Sequence, residues 1–533
     1  MASQALKNFS TTSTPQTEKA KATQVENNAG GFVFSITPQQ RLFRFLTMGT
    51  DGGTYYVGQQ KLTRDNAQFI IDHADSHGLE FVDLITEVSE AGRAPKNSFA
   101  IFALAILAKY GNSEVKAAAA GNISRVCRTP TMLIEFINYC KSLELNIGSS
   151  VMKRGLQAWY AKPSSSLEYS FAKYRQRDGW TQKDLLRVVH PKPSDNATSD
   201  LFARIIGKDN LGSNTTFPIL DAVDQLNNPA ITAKDAIAII KSENVSWDML
   251  PTSLHNNSSI WEALILEDKL PLGAMIRQLG RLTNLNLLMP LTRTSNIVLS
   301  RLSDANRIKK SRIHPLVALE AMAAYQNGCG KSGVRWSPQP HIVSALEDLF
   351  YLCYDNVEPT GKATLIGLDV SGSMTWAETA NNSSLTPAQI GAALSLLVMN
   401  KEKNSHCKGF AGQFIDLGFT KNTRLKSALN KTSRMNFGST DCAQPMVHAM
   451  ENDLEVETFI VITDNETWAG NIHPHEALSR YRKKTGIDAK LIVLACTPTN
   501  FSIADPDDPG MLDISGYDSS IPQTIADFSA GNL

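Results

Sequence analysis

The sequence predicts a chain in two parts, a long α-helical repeat unit followed by an α/β doubly wound unit. Three observations predict it. Over residues 36–355, apolar residues recur at three- and four-residue spacing, and short polar, Gly or Pro breaks separate the segments. After residue 360, short apolar runs rich in strand formers alternate with amphipathic helical stretches, the pattern of a parallel sheet. The charge also changes sign: residues 356–533 hold 14 Lys+Arg against 20 Asp+Glu, a balance of −6, leaving +6 on the rest of a 533-residue chain whose net charge is zero. The zero total argues against a uniformly basic nucleic-acid coat or an acidic solvating tail, but it averages two dissimilar modules and does not exclude RNA contact by one of them.

The elements follow in order. The first thirty residues are Ser, Thr, Gln, Asn, Lys and Ala without an apolar core. They read as a disordered tail, not a secretory signal. Helices are expected at 98–110, 130–142, 150–160, 181–189, 232–242, 258–268, 271–282 and 314–326. Helices of this length with short turns bury their apolar faces by stacking on neighbours, so residues 31–357 predict an irregular, HEAT-like array. In the remaining part, 358–533, strands are expected at 364–370, 408–418, 458–464 and 489–495, with helices at 386–400, 422–430, 441–451 and 474–485. Thr386 followed by Pro387 is a helix-start signal.

Ligands of such sheets sit at the carboxyl ends of strands. Asp369 and Asp464 stand at two of these ends, with Ser371 and Ser373 just after the first and Thr440 on a Gly-Ser-Thr turn. Two carboxylates and three hydroxyls are hard oxygen donors, the set Mg²⁺ prefers among divalent cations. With two hydroxyls direct and the carboxylates partly through water, an octahedron keeps a vertex open for a carboxylate of a partner or substrate. DVSGS, GST and TDNET closely resemble the metal-ion-dependent adhesion site (MIDAS) of von Willebrand factor A domains. No general base accompanies the pair, so no enzymatic role and no catalytic residue are expected.

The basic half has one dense stretch, 171–193, with Lys173, Arg175, Arg177, Lys183, Arg187, His190 and Lys192 around Tyr174 and Trp180. On a helix Lys173 and Arg177 would share a face, and His190 closes the next helical segment. Basic groups on successive helices can track phosphates. Trp180 reads as a core residue. A second cluster, Arg307 to Arg312, is a candidate for further RNA contact. GCGKSG (328–333) lacks the first glycine of a P-loop and reads as a helix-ending loop. His473 and His475 flank a helix start with no completing ligands and read as surface residues. Seven cysteines, an odd number without C-x-x-C spacing, indicate neither a disulfide framework nor a zinc cage. No apolar run reaches the ~18–20 residues of a membrane span. A cytoplasmic protein is expected.

Longer motifs carry a more specific signal. TPQQRLFRFLTMGTDGGTYYVGQQKLTRDNA (37–67), KYRQRDGWTQKDLLRVVHPKP (173–193), SRIHP (311–315), VRWSP (334–338), VEPTGK (357–362), TDNETWAGNIHP (463–474), YRKKTGIDAKLIV (481–493) and IADPDDPGMLDISGYD (503–518) resemble the Ro ribonucleoprotein autoantigen family. The resemblance runs from about residue 31 to the end and weakens at 195–260. It implies a ring of HEAT-like repeats, the TROVE module, closed by a von Willebrand factor A domain. It also implies binding of small noncoding Y-type RNAs on the outer basic surface, here at Lys173, Arg177 and His190, with Lys183 and Arg187 beside them. Misfolded noncoding RNAs would be taken by a single-stranded 3′ end through the ring, with recruitment of an exoribonuclease as a further implied role, in RNA quality control and stress response. A monomer is expected. Two other readings compete: a metal-dependent protein-interaction scaffold with incidental RNA contacts, and a Mg²⁺-dependent hydrolase centred on Asp369 and Asp464.

Overall fold

The computed structural model describes residues 13–48, 67–93, 96–177, 179–208, 216–330, 333–376, 385–435, 438–497, 499–516 and 521–531. The chain forms two units, residues 62–353 and residues 1–61 together with 354–533.

The first unit is helical. The helices Ser98–Tyr110 and Pro130–Ser142 have the bounds read from the sequence, and the other expected helices begin and end within a few residues of theirs. Local chemistry explains the starts. Thr129 accepts from the Met132 N–H ahead of Pro130, and Thr181 and Asp184 form a reciprocal capping box. Ser98–Tyr110 is buried from Phe99 to Ala108 because helices Gly78–Glu90, Ser113–Gly121 and Pro130–Ser142 surround it, which is why its sequence lacks a polar face. Farther along, Ala233–Ser242 packs on Ser258–Leu266, and Pro315–Gln326 on Pro340–Leu352. Each helix buries its apolar face on near neighbours in sequence, as a stacked array requires.

The second unit holds a six-stranded sheet in the order Met511–Ser515, Lys490–Ala495, Thr458–Thr463, Thr364–Asp369, Ser405–Phe410, Phe414–Asp416. All neighbours are parallel except the last pair. The strand expected at 408–418 is therefore two antiparallel strands, and the final strand and the helix Ile521–Ala530 were not anticipated. Every residue of Thr364–Asp369 and Thr458–Thr463 is buried, because helices cover both faces. Leu365, Phe459 and Val461 pack with Met446, Ala477 and Tyr481 on one face. On the other, Gly391 admits the helix Pro387–Lys401 so closely that a Cβ there would lie 2.4 Å from Leu368.

The sequence reading of the N-terminal tail is corrected for residues 13–30, while residues 1–12 lie outside the described residues. From residue 13 the segment is ordered and belongs to the α/β unit. Gln24–Glu26 pairs with Phe32–Ser35, which pairs with Phe501–Ser502 in a three-stranded antiparallel sheet. Helix Pro38–Met48 also belongs to this unit, so the division does not fall at 357 alone. With residues 1–61 included, the α/β unit holds 20 Lys+Arg against 24 Asp+Glu. It remains the acidic one, by a smaller margin.

Candidate functional site

The metal-type site lies where the sheet order reverses. From Thr364–Asp369 the chain first goes to Ser405–Phe410 on one side, then to Thr458–Thr463 on the other. The carboxyl ends of the two central strands flank this switch point, the usual ligand crevice of an open α/β sheet. Asp369 and Asp464 are both wholly buried. Asp369 accepts from the Ser371 N–H through Oδ1 (2.9 Å) and from the Thr463 hydroxyl through Oδ2 (2.7 Å). The Ser371 and Ser373 hydroxyls are 3.1 Å apart. Asp464 accepts from the Glu466 N–H at 3.1 Å. Thr440 is buried, and its carbonyl accepts from the Trp468 and Ala469 N–H groups, which ties its loop to the one following Asp464.

The electrostatics fit a cation. Burial, and secondarily the charge of Asp464, push the Asp369 carboxyl up. Among the described residues no Lys, Arg or His pairs with Asp369. A divalent ion held by Asp369, Ser371, Ser373, Thr440 and Asp464 would relieve that repulsion. No group of three or more His, Cys, Asp or Glu converges among the described residues. Thr463, which orients Asp369, escaped the sequence reading: a threonine inside a strand has no signature separating it from an ordinary strand former. The seven cysteines are free, six of them buried.

The basic stretch differs from its expected form. The helix Ser164–Lys173 ends at Lys173, and Arg177 lies in a two-residue strand, Gln176–Arg177, paired with Trp180–Thr181. Lys173 and Arg177 therefore do not share a helix face: the chain leaves the helix at Tyr174 (φ −121), and Gly179, at φ +82, lies between the two short strands that follow. The side chain of Arg177 lies outside the described residues. Lys173 is half-buried and pairs with Asp248 (3.1 Å); burial works against its ammonium, and the Asp248 carboxylate more than offsets this, so it titrates above the usual lysine range. Arg175 is engaged by Asp224.

Lys183 and Arg187 stand four apart on helix Gln182–Val189, and Arg187 is exposed. His190 ends this helix, as expected from its place before Pro191, and it does so in the left-handed conformation (φ 50) and exposed. Trp180 is half-buried rather than core: its indole N–H donates to Asn138 at 2.8 Å, and the Lys141 ammonium sits 4.7 Å from its ring. Arg307 forks onto Asp268 with two 2.9 Å bonds, which leaves Lys309, Lys310 and Arg312 as the exposed cations of the second cluster. Gly328, at φ +65 just after helix Pro315–Gln326, fits the helix-ending loop.

His473 and His475 are a further correction. Both are buried. His473 Nε2 lies 2.8 Å from the Glu18 carbonyl and Nδ1 lies 3.2 Å from the Gln24 amide, while Phe34 meets His475 edge-on at 5.0 Å. The ordered N-terminal segment covers them.

With both sites described, comparison with known proteins gives a consistent result. The family model for the TROVE domain matches residues 25–211 and 239–332, and the Ro60 vWA domain model matches 363–529. The break between the two TROVE matches falls within 195–260, and the match begins at residue 25, ahead of the expected residue 31. RNA-binding protein RO60 of Deinococcus radiodurans is 37% identical over 525 residues, covering 97% of this chain and 98% of that protein. RNA-binding protein RO60 of Caenorhabditis elegans is 33% identical over 595 residues, covering 97% and 92%. The crystal structure of the D. radiodurans RO (RSR) protein matches with a TM-score of 0.74 at 36% identity, covering 93% of this chain and all of that one. These relatives are named as RNA-binding proteins and not as enzymes. The chain belongs to the Ro family, with a helical TROVE module and a von Willebrand factor A domain of the Ro60 type.

Proposed function

We propose that this protein binds RNA through its helical unit, taking small noncoding Y-type RNAs on the surface that carries Lys173, Arg177, Lys183, Arg187 and His190. The observation that carries the reading is the helix Gln182–Val189, which projects Lys183 and Arg187 from one side and ends on the exposed His190. Cations one helical turn apart match successive phosphates, and each phosphate they neutralise releases counterions. Relatives named as RNA-binding proteins, matched over 97% of this chain, support the same reading. The family resemblance adds the finer role: retention of misfolded noncoding RNAs by a single-stranded 3′ end, cooperation with an exoribonuclease, and a place in RNA quality control and stress response in the cytoplasm, as a monomer. Among the described residues no helix is long and apolar enough to cross a membrane.

In the α/β unit, Asp369, Ser371, Ser373, Thr440 and Asp464 would hold a divalent cation, with Mg²⁺ the best match to the oxygen donors. When bound, the ion supplies an open coordination position for a carboxylate. The chain's own residues do the rest: Thr463 holds Asp369 Oδ2, the Ser371 N–H holds Oδ1, and both carboxylates are buried. This supports protein docking as a second function of that unit.

Sequencing the RNA crosslinked to the protein in extract tests the central reading. Recovery of small stem-loop RNAs with paired ends, crosslinked within 171–193, is expected. Crosslinks scattered over unrelated lysines would favour the scaffold reading.

A further inference from the structure

The N-terminal segment meets the metal-type site at one residue. Gln16 is fully buried in the α/β unit. Its amide donates to Asp441 Oδ1 at 2.7 Å and to the Ile472 carbonyl at 2.8 Å, and its amide oxygen accepts from the Thr467 hydroxyl. Its backbone N–H donates to the Gly470 carbonyl (2.9 Å), and its own carbonyl accepts from Phe32 (2.8 Å). Asp441 directly follows Thr440, and Thr467 lies three residues after Asp464. One side chain thus joins the two loops that carry the last two donors.

The rest of the segment holds the same loop. The Asn27 amide donates to the Thr467 carbonyl at 2.8 Å, and the Asn28 amide to Glu466 at 2.7 Å. Backbone approaches side on at Gly31, where a Cβ would lie 1.9 Å from the Thr467 oxygen, so only glycine fits. Thr467 in turn accepts from the Cys442 N–H at 3.1 Å, which closes a circuit from Gln16 through both loops. A segment that merely covered apolar surface would not place a buried amide, with both its oxygen and its nitrogen satisfied, between two ligand loops.

We propose that Gln16 is a positioning residue for the cation site: it sets the spacing between the Thr440 loop and the Asp464 loop, and the N-terminal segment is an integral part of the metal centre. The assignment rests on the metal reading above. Partners that orient metal ligands typically contribute about 10–100-fold in affinity when removed.

The test is Mn²⁺ titration of the full-length chain by calorimetry, with the melting temperature recorded alongside. Wild type should bind Mn²⁺, and Asp369→Ala should not. Gln16→Ala should bind about tenfold more weakly. Thr467→Val removes this bridge from the loop side at nearly constant volume, and with it the acceptor for the Cys442 N–H, so it should weaken binding at least as much, and the double variant should lose little beyond Thr467→Val. Lys21→Ala removes the ion pair to Asp505 in the same segment without touching either loop, and should leave Mn²⁺ affinity unchanged even if the melting temperature falls. Affinities of Gln16→Ala and Thr467→Val within twofold of wild type would overturn the positioning role while leaving the metal site intact. Absence of Mn²⁺ binding by wild type would overturn the metal reading and this one with it.

Discussion

Arg44 and Asp513, 469 residues apart in sequence, form a buried ion pair at 2.7 Å, and a second bond from Arg44 Nε reaches the same oxygen at 3.2 Å. Arg44 Nη1 also donates to the Phe501 carbonyl at 3.0 Å, and Asp513 accepts from the Ser502 hydroxyl. The pair docks helix Pro38–Met48 onto the last strand of the sheet. Removing one partner leaves an uncompensated buried charge, a cost of about 3–5 kcal/mol. Arg44→Ala should therefore destabilise the α/β unit by about that amount in chemical denaturation, while the double variant Arg44→Met with Asp513→Leu should cost much less.

The same region shows what could be read in the sequence. Strand and helix periodicity located the α/β core because Thr364–Asp369 and Thr458–Thr463 are continuous apolar runs with switch-point carboxylates at their ends. The proposed cation donors stand out as a motif in the sequence because Asp369 and Asp464 fall at strand ends and Ser371, Ser373 and Thr440 in the turns beside them. The N-terminal segment was not legible. Its fold depends on polar contacts to residues more than 400 positions away, such as Gln16 to Asp441, and composition carries no trace of them. Misreading that segment also misplaced His473 and His475, which are exposed only if nothing covers them. The helix face drawn through Lys173 and Arg177 failed because a charge spacing of four holds only while the helix continues, and here it ends at Lys173.

Asn465 adopts φ 69 next to Asp464, while its amide donates to Thr499 Oγ1 and the Phe501 carbonyl. Asn tolerates the left-handed region better than residues with larger or branched side chains. Both Asn465→Gly and Asn465→Val lose the amide bonds, but only valine also meets the backbone penalty. The valine variant should be less stable than the glycine variant by about 1–2 kcal/mol in thermal unfolding.

His314 caps helix Pro315–Gln326, accepting from the Leu316 N–H through Nδ1 at 3.1 Å. Burial pushes its imidazole down to about 4. The unfolded chain therefore takes up the proton first. The stabilising contribution is complete above the unfolded value near 6.5 and is lost as pH falls through about 4, up to about 3 kcal/mol in total. His314→Asn keeps a capping oxygen and cannot titrate. Its stability should fall less steeply between pH 6.5 and 4 than that of wild type.

Saturating Mg²⁺ should stabilise the α/β unit, because a ligand that binds only the folded state at 100 times its Kd adds about 2.7 kcal/mol. The melting temperature should rise with Mg²⁺ and fall again with a chelator. Asp369→Ala should show neither response.

The most direct test of RNA binding by the helical unit is the salt dependence of affinity for a small stem-loop RNA, compared between wild type and the double variant Lys183→Ala, Arg187→Ala. Both positions lie on one helix outside the buried set, so the fold should survive the change. Binding by this surface predicts weaker affinity across RNA sequences and a log–log salt slope shallower by about one for each phosphate no longer neutralised. Unchanged affinity with an unchanged slope would contradict it.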